Sequence, residues 1–165
     1  MASATQEAHL PAIGHHQRDE VGRELQATLV ELIDLSLIGK QLHWNIFGRP
    51  FKPLHEHLDE LVDSWRELSD TVAERAVALG IAPDGQAAAI HEASEIDPVD
   101  TAFLDTDTAT RELVERLADV TERIRGRMDR LGELDLASQD VLIETIRELE
   151  KQQWMLRASL PARVP

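Results

Sequence analysis

Apolar residues that recur every three or four positions are the feature that most constrains the fold of this chain. An α-helix turns once in about 3.6 residues, so this spacing places the apolar side chains on one helix face. Four segments carry the pattern and predict helices over residues 19–44, 53–79, 100–130 and 138–159. No segment alternates apolar and polar residues as a half-buried strand does. The chain is therefore predicted to be all-α.

The first and last helices show how these apolar faces are built. The stripe of the first helix comprises Val21, Leu25, Leu29, Leu32 and Leu35. Leu37, Ile38 and Leu42 widen this stripe, as expected of a helix that is buried on more than one side. The stripe of the last helix is expected to comprise Leu142, Ile146, Leu149 and Trp154.

The connections between the helices differ in length. Gly48 and Pro50 break the first helical pattern and predict a turn, and Gly80 is predicted to cap the second helix. Residues 81–98 form a longer crossover, in which "QAAAIHEA" is long enough for a short helix. A short turn follows the third helix, with Ser138 as the predicted N-cap. Four long helices with one long crossover indicate a ferritin-like four-helix bundle.

Composition places the chain among soluble proteins. Its 165 residues suit one domain, which we expect to comprise a mobile tail over residues 1–16, the bundle over residues 17–160 and a short tail over residues 161–165. There is no cysteine, which excludes disulfides and thiolate metal sites. We find no secretory signal and no apolar run of the roughly 20 residues that a membrane span needs. A cytoplasmic location is therefore expected.

Histidines and carboxylates on the second helix raise the question of a metal site. His55 and Asp59 are four residues apart, as are Asp70 and Glu74, so each pair shares a helix face. The step from Asp59 to Asp70 returns to within about 20° of the same direction but rises about 16 Å. Metal–ligand bonds are about 2 Å long, so one helix cannot bring both pairs to one ion. Either the pairs are two half-sites, or a site forms when a second copy lies antiparallel alongside.

Other interpretations of these residues stay open at this point. His43, at the end of the first helix, is close enough in a helical hairpin to join the His55 and Asp59 end. Imidazole and carboxylate ligands together suit iron, but also zinc and other divalent ions. Carboxylates spaced in this way on an acidic helix are also common as a solvated surface. No helix carries the Glu-x-x-His pair of a large-ferritin site.

The stretch from Lys40 to Gly80 resembles the Dps family (DNA protection during starvation), also called miniferritins. That family's pattern is a helix ending in Lys-x-x-His-Trp-Asn, followed by Phe-x-x-Leu-His-x-x-x-Asp-Glu, Asp-x-x-Ala-Glu-Arg and Leu-Gly. The matching residues are Lys40, His43, Trp44, Asn45, Phe51, Leu54, His55, Asp59, Glu60, Asp70, Ala73, Glu74, Arg75, Leu79 and Gly80. Residues 149–156 are also similar to the family's last helix, and the similarity covers residues 21–156.

The resemblance implies a ferritin-like bundle with a short extra helix in its crossover, assembled into a hollow homododecamer. It also implies a ferroxidase that oxidises Fe(II), with hydrogen peroxide preferred to dioxygen, and stores ferric mineral against oxidative stress. The implied two-iron site joins one subunit's ligands to those of its two-fold partner. The ligands from one subunit are His43, His55 and Asp59, and those from the partner are Asp70 and Glu74.

The resemblance also implies roles for residues outside the two-iron site. Glu56 and Glu60 match positions where the family nucleates mineral, although solvated carboxylates are an equal alternative. Asp140 matches an acidic three-fold entry pore, and Asp135 is a second, less well aligned candidate. Trp44 matches a tryptophan beside the site, and a core aromatic is the alternative.

DNA binding is the part of the family's activity that the residues do not favour. Family members that condense DNA usually do so through basic tails, which neutralise phosphates. Residues 1–16 carry no Lys or Arg, and the formal net charge is −14. We therefore expect no direct DNA binding. The alternatives are a nucleoid-binding stress protein that uses the same shell, or a bundle recruited as a hydrolase or scaffold.

Overall fold

Five helices and two very short strands make up residues 13–161, the part of the chain that the computed structural model describes. In chain order the elements are α1 (His15–Asn45), β1 (Ile46–Phe47), α2 (Phe51–Ala78), α3 (Ala87–Ala93), β2 (Leu104–Asp105), α4 (Thr106–Gly132) and α5 (Leu136–Ser159). The prediction of four long helices with a short helix in the crossover is confirmed. None of the described helices combines the length and the hydrophobicity that crossing a bilayer requires.

The bundle is built from two helical pairs. α1 packs along α2, and α4 packs along α5. The indole of Trp65 is fully buried in the core, and its Nε1 donates to Gln152 Oε1 at 2.8 Å. α1 approaches this indole closely at Gly39, where an added Cβ would lie 2.6 Å from Trp65 Cζ3. Glycine at this position therefore allows α1 and α2 to pack at short range.

The crossover between α2 and α4 is attached to the bundle at several points. Gln26 exchanges two hydrogen bonds with the main chain of Asp84, at 2.7 and 2.9 Å. Ser94 donates to the carboxylate of Asp34. Arg116 donates to the carbonyl oxygens of residues 97 and 98, both at 2.7 Å. α3 is therefore held against α1.

The helices begin at other residues than the apolar pattern and the predicted N-cap of the last helix indicated. α1 begins at His15 instead of Asp19, and the side chain of Gln17 accepts from the Gly14 amide at 3.2 Å. α4 begins at Thr106 instead of Asp100, because the Asp105 carboxylate caps the helix by accepting hydrogen bonds from the backbone amides of Asp107 and Thr108. α5 is capped by Asp135 instead of Ser138. Residues 1–12 and 162–165 lie outside the described residues, so the two tails stay predictions there, whereas His15 and His16 of the predicted tail over residues 1–16 lie in α1.

The end of α2 confirms the predicted glycine cap. Gly80 has a φ of 76°, and its amide donates to Val77 O at 2.8 Å. The Ile81 amide donates to Ala76 O at 3.0 Å, which completes a Schellman motif. A glycine adopts this left-handed conformation at little cost because it has no Cβ.

The structure differs from the predictions in two short strands and in the burial of two apolar residues. Ile46 and Phe47 pair in parallel with Leu104 and Asp105, although no strand was predicted. A two-residue strand is too short to show an alternating pattern. Trp154 and Leu37 were assigned to inward faces, but their side chains are 62% and 54% exposed in the single chain.

Candidate metal site

The turn between α1 and α2 brings His43 and His55 into direct contact. His43 lies in the last turn of α1 and His55 in the second turn of α2. Their rings are stacked with centroids 3.7 Å apart and an angle of 23° between the planes. His43 Nδ1 lies 3.0 Å from His55 O, and His55 Nδ1 lies 3.1 Å from His43 O. The two candidate imidazole ligands are therefore held together within one chain.

Asp59 joins this pair from one turn further along α2. Its Oδ1 lies 3.3 Å from His43 Nδ1 and accepts a hydrogen bond from Lys40 Nζ at 2.6 Å. The Lys40 hydrogen bond is the main cause that lowers the pKa of Asp59. Burial acts in the opposite direction, and the charges of His43, Lys40 and His55 lower the pKa further. Asp59 is therefore ionised at neutral pH, as a metal ligand must be.

Asp70 and Glu74 lie on the same helix but far from the histidines. Both side chains are exposed on α2. Their pair begins about 16 Å along the helix from Asp59, so a straight helix cannot bring them to the His55 end. Within residues 13–161 of one chain, no three His, Asp or Glu side chains form a group that could hold a metal ion. The structure thus places His43, His55 and Asp59 next to one another without completing a metal site, and it leaves Asp70 and Glu74 apart from them.

The chemistry of the assembled donors fits iron. Each histidine points Nδ1 at a carbonyl oxygen, so Nδ1 carries the proton and Nε2 keeps its lone pair for a metal. Asp59 adds hard anionic oxygen. Mixed imidazole and carboxylate donors suit Fe(II), and carboxylate oxygen also suits Fe(III). Two imidazoles and one carboxylate are too few donors for two ions.

Exposed aromatic side chains surround this end of the bundle. Trp44 is 66% exposed, which makes its interpretation as a core aromatic wrong for the single chain. Phe47 and Phe51 follow it in the turn and are also exposed, and the Phe51 ring stacks on His55 with centroids 5.0 Å apart. Phe103 is exposed next to β2, which pairs with β1. Large apolar groups in one exposed region indicate a contact surface for another molecule.

The predicted nucleation and pore residues lie at different places on the surface. Glu56 is exposed and pairs with Lys52 at 3.3 Å, and Glu60 is exposed beside His57, at 3.1 Å from its Nδ1. Asp140 is exposed near the start of α5. These positions leave the predicted nucleation and pore roles untested.

Asp135 has a structural role that the sequence analysis did not anticipate. Its Oδ2 accepts from Arg75 Nη2 at 2.6 Å and from the Ser138 amide and hydroxyl at 3.1 and 2.5 Å. Burial favours the neutral acid, but the hydrogen bonds from Ser138 and Arg75 outweigh it and lower the pKa of Asp135. Asp135 therefore joins the end of α2 to the start of α5.

Two further groups of charged residues were missed. Lys40 was matched only as a motif residue, although its position three residues before His43 puts both on one helix face. Glu31 is buried to 1% exposure, and its carboxylate pairs with Arg123 and Arg127 of α4. Glu31 lies next to the apolar stripe of α1 in the sequence, and its burial could have been predicted from that position. Arginine is suited to such buried pairs because its guanidinium stays charged.

Comparison with protein families places this geometry among ferritin-like proteins. Residues 23–162 match the family model of the ferritin-like domain. A DNA protection during starvation protein of Mycolicibacterium smegmatis is 37% identical over 153 residues, which cover 92% of this chain and 82% of the relative. DNA protection during starvation protein 2 of Deinococcus radiodurans is 34% identical over 92% of this chain but 63% of its own length. The chain thus spans less than two thirds of the Deinococcus protein.

A solved structure supports the same grouping. The tetragonal form of Mycobacterium smegmatis Dps superposes on this chain with a TM-score of 0.90. The two sequences are 34% identical, and the match covers 99% of this chain and 96% of the other. A superposition of this extent includes all five helices described above.

Proposed function

Because this chain belongs to the Dps family of ferritin-like proteins, we propose that it is the subunit of a hollow dodecamer that oxidises Fe(II) and stores the ferric product. Membership of the family implies iron storage and protection against stress. The finer proposal is a ferroxidase site at the two-fold interface between subunits, with iron as its substrate.

The division of the ligands along α2 is the observation that carries this proposal. His43, His55 and Asp59 meet at one end of the helix, while Asp70 and Glu74 are exposed about 16 Å away on the same stripe. An antiparallel second copy would bring its Asp70 and Glu74 to the first copy's histidines. A two-fold axis repeats each contact, so it would complete two equal sites at once.

The two imidazoles, each with one nitrogen left free, support two ions in each site. His43 Nδ1 contacts the main chain of α2, and His55 Nδ1 contacts the main chain of α1. In each ring Nδ1 is engaged by a carbonyl oxygen, so Nε2 is the nitrogen left for a metal. Each histidine would then bind a separate iron ion, with the carboxylates shared between them.

One molecule of hydrogen peroxide oxidises two Fe(II) ions in the proposed reaction. Two Fe(II) ions each give one electron, the O–O bond of hydrogen peroxide breaks, and two protons complete two water molecules. Removing Fe(II) and peroxide together prevents hydroxyl-radical formation, and dioxygen is the slower oxidant. Asp140 would line the entry pore, with Asp135 as the second candidate, and Glu56 and Glu60 would receive Fe(III) for mineral growth.

We propose no direct binding of DNA. The chain carries 31 acidic against 17 basic residues, and such a shell repels a phosphate backbone. A gel-shift assay at low salt should leave duplex DNA unretarded. Retardation there would favour the nucleoid-binding alternative.

Complementation between two inactive variants tests the shared site. Variant A carries His43→Ala and His55→Ala, and variant B carries Asp70→Ala and Glu74→Ala. Each should assemble to the wild-type particle mass and fail to oxidise Fe(II) with peroxide. In particles of both variants mixed at random, half of the two-fold pairs are mixed and each has one intact site, so about a quarter of all sites should recover.

The controls separate this result from a general defect. Asp119→Ala changes an exposed carboxylate on α4 and should keep wild-type rates. A site contained within one chain would give no recovery in the mixed particles, and that outcome would refute the shared site. Activity that persists in variant B alone would remove Asp70 and Glu74 from the mechanism.

A further inference from the structure

The contact between His43 and His55 joins the ends of two helices. His43 donates from Nδ1 to the carbonyl of residue 55 at 3.0 Å, and His55 donates from Nδ1 to the carbonyl of residue 43 at 3.1 Å. The carbonyl of residue 43 lies in the last turn of α1, where it has no intrahelical partner. Each candidate ligand therefore holds the backbone that carries the other.

Stacking adds to these hydrogen bonds. The His55 ring lies between the His43 ring and the Phe51 ring, with centroid separations of 3.7 and 5.0 Å. His43 is almost fully buried by this arrangement. The rings are thus held in both direction and tilt by contacts that involve no metal.

We propose that this crossed pair of hydrogen bonds is a clasp that positions both imidazoles for iron before any iron binds. This inference rests on the proposed ferroxidase function. Its physical basis is that a hydrogen bond at Nδ1 fixes the tautomer and the ring orientation, which leaves Nε2 preformed as the metal donor. The clasp makes His55 both a ligand, through Nε2, and a positioning residue, through Nδ1.

Asparagine and glutamine separate the two roles of His55. The amide nitrogen of asparagine occupies the place of Nδ1, and that of glutamine reaches the place of Nε2. His55→Asn should therefore keep the donor to the His43 carbonyl, and His55→Gln should lose it. Helix propensity alone predicts the opposite order of stability for the two variants, because glutamine stabilises a helix interior more than asparagine does.

The first measurement is thermal unfolding of the metal-free particles at one subunit concentration. The clasp predicts that His55→Asn unfolds about 2–4 °C above His55→Gln, as expected from one hydrogen bond in a domain of this size. His55→Ala should resemble the Gln variant or fall below it. An Asn variant that is less stable than the Gln variant would follow helix propensity alone and would overturn the clasp.

The second measurement is a Co(II) titration, in which Co(II) replaces Fe(II) as an ion that does not oxidise. Both variants keep His43, but its backbone stays clasped only in His55→Asn. That variant should bind Co(II) at the remaining His43 position about fivefold more tightly than His55→Gln. Equal affinities would refute a positioning role.

Failure of the proposed function would give a different pattern. Both variants lack the His55 imidazole, so both should lose rapid oxidation of Fe(II) by peroxide. If both oxidise Fe(II) at wild-type rates, the ferroxidase assignment of His55 is wrong, whatever the unfolding temperatures show. If both are inactive but equally stable, the ferroxidase proposal stands and the clasp is wrong.

Discussion

Replacing Gly39 by alanine tests how closely α1 and α2 must pack beside the candidate site. The new Cβ would lie 2.6 Å from Trp65 Cζ3 and 2.7 Å from Val62 Cγ2, and both distances are far below van der Waals contact. Overpacking of a core costs about 1–3 kcal/mol. Two contacts this short place the cost near the upper value. The higher helix propensity of alanine offsets about 1 kcal/mol of this loss in stability. The net loss is about 2 kcal/mol, or roughly 4–8 °C in Tm.

Gly126 provides the matched control. It also lies inside a helix, but a Cβ there meets only Arg130 Nη1, at 3.5 Å. Gly126→Ala should therefore gain about 1 kcal/mol from helix propensity and unfold roughly 2–4 °C higher. Scanning calorimetry at one subunit concentration measures both variants. An increase in Tm for Gly39→Ala that equals that of Gly126→Ala would refute the close approach.

Two other predictions concern charged residues. Asp135→Asn should cost about 1–2 kcal/mol at pH 7, because it weakens a helix cap that also binds Arg75. Because the pKa of Asp135 is lowered in the folded state, its contribution to the free energy of unfolding is present above the unfolded pKa and is lost as the pH falls through the folded pKa, below about 4. Urea unfolding should therefore show the stabilities of the wild type and the variant converging in acid. Lys40→Met should tighten Co(II) binding by at most about fivefold, because the ammonium that Asp59 now contacts is removed. As a control, Lys151→Met removes an exposed partner of Glu148 and should leave Co(II) affinity unchanged. An equal effect of the two variants would contradict a specific effect of the contact between Lys40 and Asp59.

The sequence was sufficient for the helices because their apolar faces are long and regular. Their ends were less predictable, since a cap depends on one side chain. Asp105 accepts from the amides of residues 107 and 108 and begins α4 six residues later than the pattern suggested. Ser138 was expected to cap α5, yet it donates its own amide to Asp135. Several residues near a helix end have capping side chains, and only the backbone conformation selects among them.

Burial of aromatic residues was predicted least well, for a physical reason. An apolar periodicity shows that a face avoids water but does not show what covers it. Trp65 is covered by its own chain and donates to Gln152, whereas Trp154 occupies a similar helical pattern and is exposed. Residues at an interface between copies follow the same pattern as residues of the core.

Part of the arrangement of the candidate ligands could be predicted from helix geometry. The rise of a helix is fixed, so the separation of Asp59 from Asp70 followed from the spacing alone. The direct contact of His43 with His55 did not, because it depends on the turn over residues 46–50 and on the pairing of β1 with β2. The pairing of Lys40 with Asp59 required the packing of α1 against α2.

The exposed aromatic residues and the incomplete ligand set occur at the same end of the bundle. Trp44, Phe47 and Phe51 lie on or beside the turn that carries His43 and His55, and Phe103 lies next to the strand that pairs with this turn. In a lone chain these rings face water, and the histidines have Asp59 beside them but lack the pair of carboxylates formed by Asp70 and Glu74. A second copy placed at this end would bury the aromatic groups and supply those carboxylates in one step. The hydrophobic free energy of assembly would then hold the metal ligands in place, so a subunit that fails to pair should also fail to bind iron.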